Sequence, residues 1–301
     1  MNKRLLVTAA ILCAGTAAAQ TASIKGKVYG DYFYHLKNTA SAEAGRNGFA
    51  FRRLYFTFEQ GLADNLKMRF RLDAKHSSYG ERDKLQPYVK HAYIEWKNFI
   101  PGHNLAVGLT GTNALKLAED YWGYRSVAKT SLDMYSIAFS ADMGISVKGD
   151  LAPFLHHWLT VHNGTGYKSS EVDKYKKIGY SVWVTPLPGL TVEAYADFEN
   201  QDPASGSLET AEEYFHSSGY RTLKGFIGYR NSIFSAGCEL FSKTLFSAGA
   251  SDSEGTGKND VDKTGISLFG SLTLVRDKLN IFGRYDTFDP NADNNVFTAS
   301  G

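Results

Sequence analysis

Six basic residues in the first part of the chain lie at positions whose types and spacing can support chemistry with anions. Fixed guanidinium and ammonium groups that line a water-filled passage lower the electrostatic free-energy cost of entry for an anion that sheds part of its hydration shell. The guanidinium fork also matches the oxygens of phosphate and carboxylate groups. The six residues predict a basic stripe and are Lys25, Lys27, Arg53, Lys67, Arg69 and Arg71.

Four acidic residues are predicted to lie on the same face as this stripe, so the sequence leaves two interpretations of the stripe open. The acidic residues are Asp31, Glu59, Asp73 and Glu95. Any water-filled lumen is lined by charges of both signs, so the stripe is compatible both with an anion preference and with none.

The segments that carry these residues alternate between apolar and polar side chains with a period of two, as in a strand with one polar face. In segment 66–75, Leu66, Met68 and Phe70 alternate with Lys67 and Arg69. The pattern predicts thirteen strands, near residues 23–35, 49–60, 66–75, 88–96, 105–110, 144–148, 154–162, 176–184, 190–199, 220–229, 233–245, 264–275 and 279–288.

The predicted connections alternate strictly between short and long, which is typical of outer-membrane barrels. Turn residues such as Pro101-Gly102 and Pro188-Gly189 mark the short ones. The short connections are 61–65, 97–104, 149–153, 185–189, 230–232 and 276–278, and the long ones are 36–48, 75–87, 111–143, 163–175, 200–219 and 246–263. We therefore predict an all-β, antiparallel transmembrane β-barrel.

The strand count carries a further expectation. Single-chain bacterial barrels have an even number of strands, whereas thirteen are predicted. We expect a 16-stranded parent of which about 13 strands are present, so that the chain is truncated at its C-terminus. Residues 20–301 then form one barrel domain, incomplete at that end.

The longest predicted loop, 111–143, contains rings and cations suited to a constriction. These residues are Trp122, Tyr124, Arg125 and Lys129. A long loop that folds inward narrows a wide barrel, and we expect this role here. An outward-facing loop at the rim is the alternative.

The first nineteen residues have the features of a cleaved secretory signal: Lys3 and Arg4, an apolar run, and small residues before Gln20. They predict export to the bacterial outer membrane. Removing Lys3 and Arg4 brings the formal net charge from +2 to zero, so nothing indicates a nucleic-acid partner. After the signal, no run of eighteen uncharged apolar residues exists, which excludes a spanning helix.

Catalysis has little support in the sequence. None of the eight histidines has a spacing typical of a catalytic or metal site, and His156 and His157 are neighbours that point to opposite faces of a strand. We expect no enzyme activity, cofactor or metal. Two alternatives stay open: an outer-membrane enzyme or adhesin that acts through external loops, and a secreted β-sandwich.

Three motifs support a more specific interpretation. Residues 48–59 (GFAFRRLYFTFE), 61–74 (GLADNLKMRFRLDA) and 121–130 (YWGYRSVAKT) resemble the phosphate-selective porin O and P family. The resemblance extends over most of the chain after the signal. It implies a sixteen-stranded, trimeric pore embedded in outer-membrane lipid, with basic lumen residues favouring anions and passive diffusion of small hydrophilic solutes.

Overall fold

The computed structural model describes residues 22–36, 45–76, 85–171, 173–200, 219–246 and 260–292, which form one antiparallel sheet of thirteen strands. Each strand pairs with the next one along the chain, in sequence order. The strands are β1 Ala22–Tyr34, β2 Asn47–Ala63, β3 Leu66–His76, β4 Leu85–Ile100, β5 His103–Gly111, β6 Ala141–Ala152, β7 Leu155–His162, β8 Lys177–Leu187, β9 Leu190–Asn200, β10 Gly219–Arg230, β11 Phe234–Phe246, β12 Val261–Val275 and β13 Leu279–Asp289.

All thirteen predicted strands are confirmed, but several are longer than predicted. The sequence places a turn at 61–65, whereas β2 continues to Ala63 and Gly61 pairs with Lys67. The predicted connection 97–104 shrinks to residues 101–102. Backbone hydrogen bonding continues through polar residues that break the alternation, because the ladder needs no particular side chain.

Glycine closes two of the short turns in the way the sequence predicts. Gly102 has a φ of 77° and Gly189 a φ of 85°, a region that side chains with a Cβ rarely adopt. The preceding prolines, Pro101 and Pro188, fix the neighbouring φ near its turn value. These two positions therefore limit where the adjacent strands can reverse.

The two faces of the sheet have opposite character, and the buried face is the polar one. Along β9, Thr191, Glu193 and Asp197 are buried, whereas Val192 is 40% exposed and Ala196 is also exposed. Large apolar side chains are exposed on the same side of nearly every strand, for example Ile24, Val107, Ile145, Ile227 and Leu240. We call this side the apolar face and the other the polar face; the arrangement is that of a sheet surrounded by lipid.

The connection between β5 and β6, residues 112–140, lies against the polar face, and we call it the inner loop. It contains two short helices that the sequence did not reveal, α1 Lys116–Trp122 and α2 Ser131–Met134. One side of the loop faces strands β1 to β7 across a cavity, and the other contacts β9 to β13. The sheet therefore curves around the loop.

Some predicted features fall outside this description. The signal segment 1–19 lies outside the described residues, as do most of the predicted loops 200–219 and 246–263. The expected strands after Gly301 stay a prediction. Among the described residues, no helix is long and apolar enough to cross a membrane.

Adjacent residues on β5 test the assignment of the two faces. Val107 is 48% exposed on the apolar face, and Ala106 lines the cavity on the polar face. We expect Val107→Lys to lower the free energy of unfolding in lipid vesicles by about 2–4 kcal/mol, because a cation near the bilayer midplane is poorly solvated. Ala106→Lys is the matched control, with an expected loss under about 1 kcal/mol because water solvates the lumen. Equal losses in urea unfolding monitored by tryptophan fluorescence would contradict the assignment.

Candidate functional site

A cavity of about 850 Å³ lies between the inner loop and the polar face of strands β1 to β7. Basic side chains outnumber acidic ones in its lining, eight to three. The basic residues are Lys25, Lys27, Arg69, Arg71, Lys90, Lys116, Arg125 and Lys148, and the acidic residues are Glu95, Glu119 and Asp120. The lining of this cavity, along one wall of the sheet, therefore has an excess of basic residues.

Four of the six predicted basic residues form ion pairs across neighbouring strands. Lys25 and Arg69 both contact Glu59, at 2.9 and 3.0 Å, and Arg53 lies 3.3 Å from the buried Asp73. Lys67 pairs with Glu95 at 3.1 Å. The mixed-charge interpretation of the stripe therefore describes these four residues, because each of them contacts a carboxylate on the same face, with Glu59 shared by two of them.

Lys27 and Arg71 differ, because neither makes an ion pair among the described residues. The Lys27 ammonium lies 5.8 Å from the centre of the Tyr29 ring. Arg71 donates a hydrogen bond of 2.8 Å to Thr57 and lies 5.4 Å from the centre of the Tyr55 ring. Both side chains line the cavity, so their charge acts on whatever occupies it.

Three further basic residues of the cavity were not predicted from the sequence: Lys90, Lys148 and, on the inner loop, Lys116. Lys90 occupies a register irregularity in the pairing of β3 with β4, beside Arg71 and Leu72, and lies 3.8 Å from Asp73. A bulge of this kind turns an extra side chain to one face, and no alternation predicts it. Lys148 follows Gly144 and Ser146 at alternate positions of β6, so the alternation does place it on the polar face. The segment predicted there, 144–148, is one of the shortest.

Of the four predicted constriction residues, Arg125 lines the cavity, whereas the two rings lie on the far side of the loop. Trp122 is 3% exposed, and its ring lies 5.6 Å from the ring of Phe269. Tyr124 stacks on Phe282 at 4.1 Å between ring centres. The rings therefore attach the loop to β12 and β13, and a constricting role for these residues stays a prediction.

Arg125 is held by carboxylates of its own loop. It lies 3.3 Å from Glu119 and 2.6 Å from Asp133, and Lys129 contacts Asp133 at 2.8 Å. Burial raises the pKa of the Glu119 carboxyl above its ordinary value, and the Arg125 guanidinium opposes that shift. The Glu119 carboxyl therefore takes up a proton at a higher pH than an ordinary glutamate does, and the charge that the loop presents to the cavity changes with it.

Basic residues of β10, β11 and β13 hold the loop by donating hydrogen bonds to its backbone carbonyls. Lys224 donates to the carbonyl of Ala114 at 2.6 Å and Lys243 to that of Ile137 at 3.0 Å. Arg284 donates to the Lys129 carbonyl, and Arg230 to that of Asp120. The cations of this wall thus bind the loop, whereas those of the opposite wall face the cavity.

Buried ion pairs join β9 to its neighbouring strands β8 and β10. Lys224 lies 2.7 Å from Glu193, and Lys177 lies 2.8 Å from Asp197, with the carboxylates essentially inaccessible to solvent. Breaking such a pair leaves an uncompensated buried charge, so these residues have a structural role. In the part of the chain that the structure describes, no three His, Cys, Asp or Glu residues are placed to hold a metal ion.

Comparison with known proteins gives a likeness in fold. No protein-family model and no curated protein matches the sequence. The structure is similar to the outer membrane channel DcaP of Acinetobacter baumannii, with a TM-score of 0.57 and 12% identity over 90% of this chain and 79% of that one. It is also similar to a loop-deletion mutant of OmpT, an outer membrane protein of Vibrio cholerae, with a TM-score of 0.52 and 12% identity over 91% and 84%.

In-vitro folded OmpT is similar as well, with a TM-score of 0.51 and 13% identity over 92% of this chain and 79% of that one. At these identities the likeness concerns the fold, which is the antiparallel β-barrel fold of bacterial outer-membrane proteins.

Proposed function

We propose that the protein is a bacterial outer-membrane pore through which small hydrophilic anions diffuse passively. The observation that carries this proposal is the cavity beside the inner loop, where basic lining residues outnumber acidic ones eight to three. A positive wall in a narrow, water-filled passage raises the local concentration of anions and lowers that of cations. The channel DcaP, which shares the fold, supports the proposal.

The unpaired cations are the residues that we expect to contribute most. The carboxylates that contact Lys25, Arg53, Lys67 and Arg69 weaken the fields of these cations at a distance but do not cancel them, because Glu59 is shared by two of the four. Lys27, Arg71 and Lys148 make no ion pair among the described residues and line the cavity. Arg125 lines the cavity from the loop side but forms ion pairs, and Lys129 is not among the lining residues.

Finer parts of the proposal rest on the sequence. Export through a cleaved signal at residues 1–19, membership of the phosphate-selective porin O and P family, and assembly as a homotrimer are all proposed on the motifs quoted above. Phosphate is one of the anions that a basic passage admits, and the inner loop is proposed as the element that narrows the passage.

Reversal potentials in planar bilayers test the anion preference. After screening at about 0.1 M salt, a unit charge about 8 Å from the solute path contributes about 0.25 kcal/mol, with opposite sign for chloride and potassium, so two charges change the ratio of the two ions by about 1 kcal/mol. We therefore expect the double variant Lys27→Gln, Arg71→Gln to lower the chloride-to-potassium permeability ratio by roughly fivefold. Arg276→Gln removes a fully exposed charge at a short turn and is the control. Absence of conductance steps from the full-length protein would refute the pore, and cation preference would refute only the anion claim.

Glu119 gives the selectivity an expected pH dependence. Its carboxyl has a raised pKa, so as the pH falls it takes up a proton at a higher pH than an ordinary glutamate does. Protonation removes a negative charge beside Arg125 and leaves the cavity more positive, so the chloride-to-potassium permeability ratio is expected to rise. The response should be weaker in Glu119→Gln. A ratio that changes identically in both proteins would show that other groups cause it.

Trp122 tests whether the inner loop limits the current. Truncating a buried tryptophan costs about 3–5 kcal/mol of packing, which loosens the attachment of the loop to β12 and β13. We expect Trp122→Ala to increase single-channel conductance and current noise. Trp96→Ala removes a tryptophan that is 45% exposed on the apolar face and serves as the control. Unchanged conductance in both variants would mean that the loop does not narrow the passage.

A further inference from the structure

The basic residues that line the cavity fall into two groups. Five form ion pairs with Glu59, Asp73, Glu119, Asp120 or Asp133, and these are Lys25, Arg69, Lys90, Lys116 and Arg125. Three make no ion pair among the described residues: Lys27, Arg71 and Lys148. Three of the eight cations that line the cavity therefore have no carboxylate in contact with them among the described residues.

Each of the three lies against an aromatic ring that also lines the cavity. Lys27 lies 5.8 Å from the centre of Tyr29, Arg71 lies 5.4 Å from Tyr55, and Lys148 lies 5.0 Å from Trp158. These distances are in the range of cation–π attraction. Charge and apolar surface are therefore presented side by side wherever the wall has an unpaired cation.

Two of the pairs form one continuous patch on β1, β2 and β3. Lys27 is opposite Tyr55 in the pairing of β1 with β2, and Arg71 is opposite Thr57 in the pairing of β2 with β3. The rings of Tyr29 and Tyr55 meet edge to face, 6.1 Å apart. Two strand spacings and an offset of two residues along the strands place the backbones of Lys27 and Arg71 about 12 Å apart, with Tyr55 between them.

Two of the three rings, those of Tyr55 and Trp158, are held by hydrogen bonds that need no solute. Arg53 donates a hydrogen bond of 2.9 Å to the Tyr55 hydroxyl, and Tyr55 is only 9% exposed. The Trp158 indole donates a hydrogen bond of 2.7 Å to Ser146. Tyr29 and Trp158 are half-exposed, so each offers part of its ring to the cavity. Recognition by rings that are already ordered loses little entropy on binding.

This arrangement fits one class of anion better than another. A compact, strongly hydrated ion such as inorganic phosphate is best held by several donors that converge on it. Here the unpaired cations belong to β1, β3 and β6, and the neighbour of each is a ring. A ring that carries a carboxylate can satisfy both features at once, with its charge on the cation and its face on the aromatic side chain.

Building on the proposed pore, we propose that its lumen selects organic anions with an aromatic ring beside a single carboxylate over acetate and inorganic phosphate. The solute's carboxylate accepts hydrogen bonds from Lys27, Arg71 or Lys148, and its ring packs on Tyr29 or Trp158. Benzoate is the simplest probe of this class, and acetate carries the same charge without the ring.

The test measures how each anion reduces chloride current through the full-length protein in planar bilayers. We expect half-maximal reduction by benzoate at a concentration at least about threefold below that for acetate, the effect of one aromatic contact. Phosphate should give half-maximal reduction only at a higher concentration than benzoate does. The double variant Tyr29→Ser, Trp158→Ser should bring the benzoate value to that of acetate. Tyr180→Ser, which removes a tyrosine 41% exposed on the apolar face, should leave it unchanged.

Saturation-transfer NMR with detergent-solubilised protein separates this inference from the pore itself. Stronger transfer to benzoate than to acetate, lost in the double variant, supports the inference even without conductance. The inference would be overturned if benzoate and acetate gave half-maximal reduction at the same concentration, or if phosphate did so at a lower concentration than benzoate. A benzoate preference that survives in the double variant would also overturn it. Loss of conductance in every condition refutes the pore and leaves the NMR result to decide the recognition.

Discussion

The structure depends on the need of backbone polar groups for hydrogen bonds where water is absent. In the hydrocarbon core of a membrane, a backbone amide or carbonyl without a hydrogen bond costs several kcal/mol of free energy, so each strand must pair with a neighbour. The unbroken ladder from β1 to β13 meets this demand for the sheet. The inner loop has no strand partner, and side chains such as Lys224 and Lys243 supply donors to its carbonyls instead.

This division of donors gives the interior two unlike walls. On β10, β11 and β13, basic side chains are bound to the loop, and rings such as Phe269 and Phe282 pack against Trp122. On β1 to β7 the loop leaves a cavity, where cations stay in contact with solvent. The same residue types therefore have a structural role on one wall and an electrostatic role on the other.

Much of the fold could be predicted from the sequence, because alternation and turn residues are local signals. Gly102 and Gly189 mark reversals whatever the rest of the chain does. The ion pairs and the inward direction of the inner loop could not be predicted from the sequence, because they depend on residues that are distant in the chain. Trp122 illustrates the limit: its sequence context favours a constriction, but its ring packs against strands more than one hundred residues away. Lys90 was hidden by a bulge that alternation does not record.

The hydrogen bonds that hold the inner loop span long stretches of chain, which has a consequence for how the molecule assembles. Lys224 and Ala114 are 110 residues apart, and Arg284 and Lys129 are 155 apart. Contacts of such high sequence separation form late, because the entropy of closing the intervening chain is lost before they contribute. Strands β1 to β5 can pair by local hairpins, whereas the loop reaches its final position only once β10 to β13 are in place. Attachment of the inner loop to β10, β11 and β13 is therefore among the last events of folding.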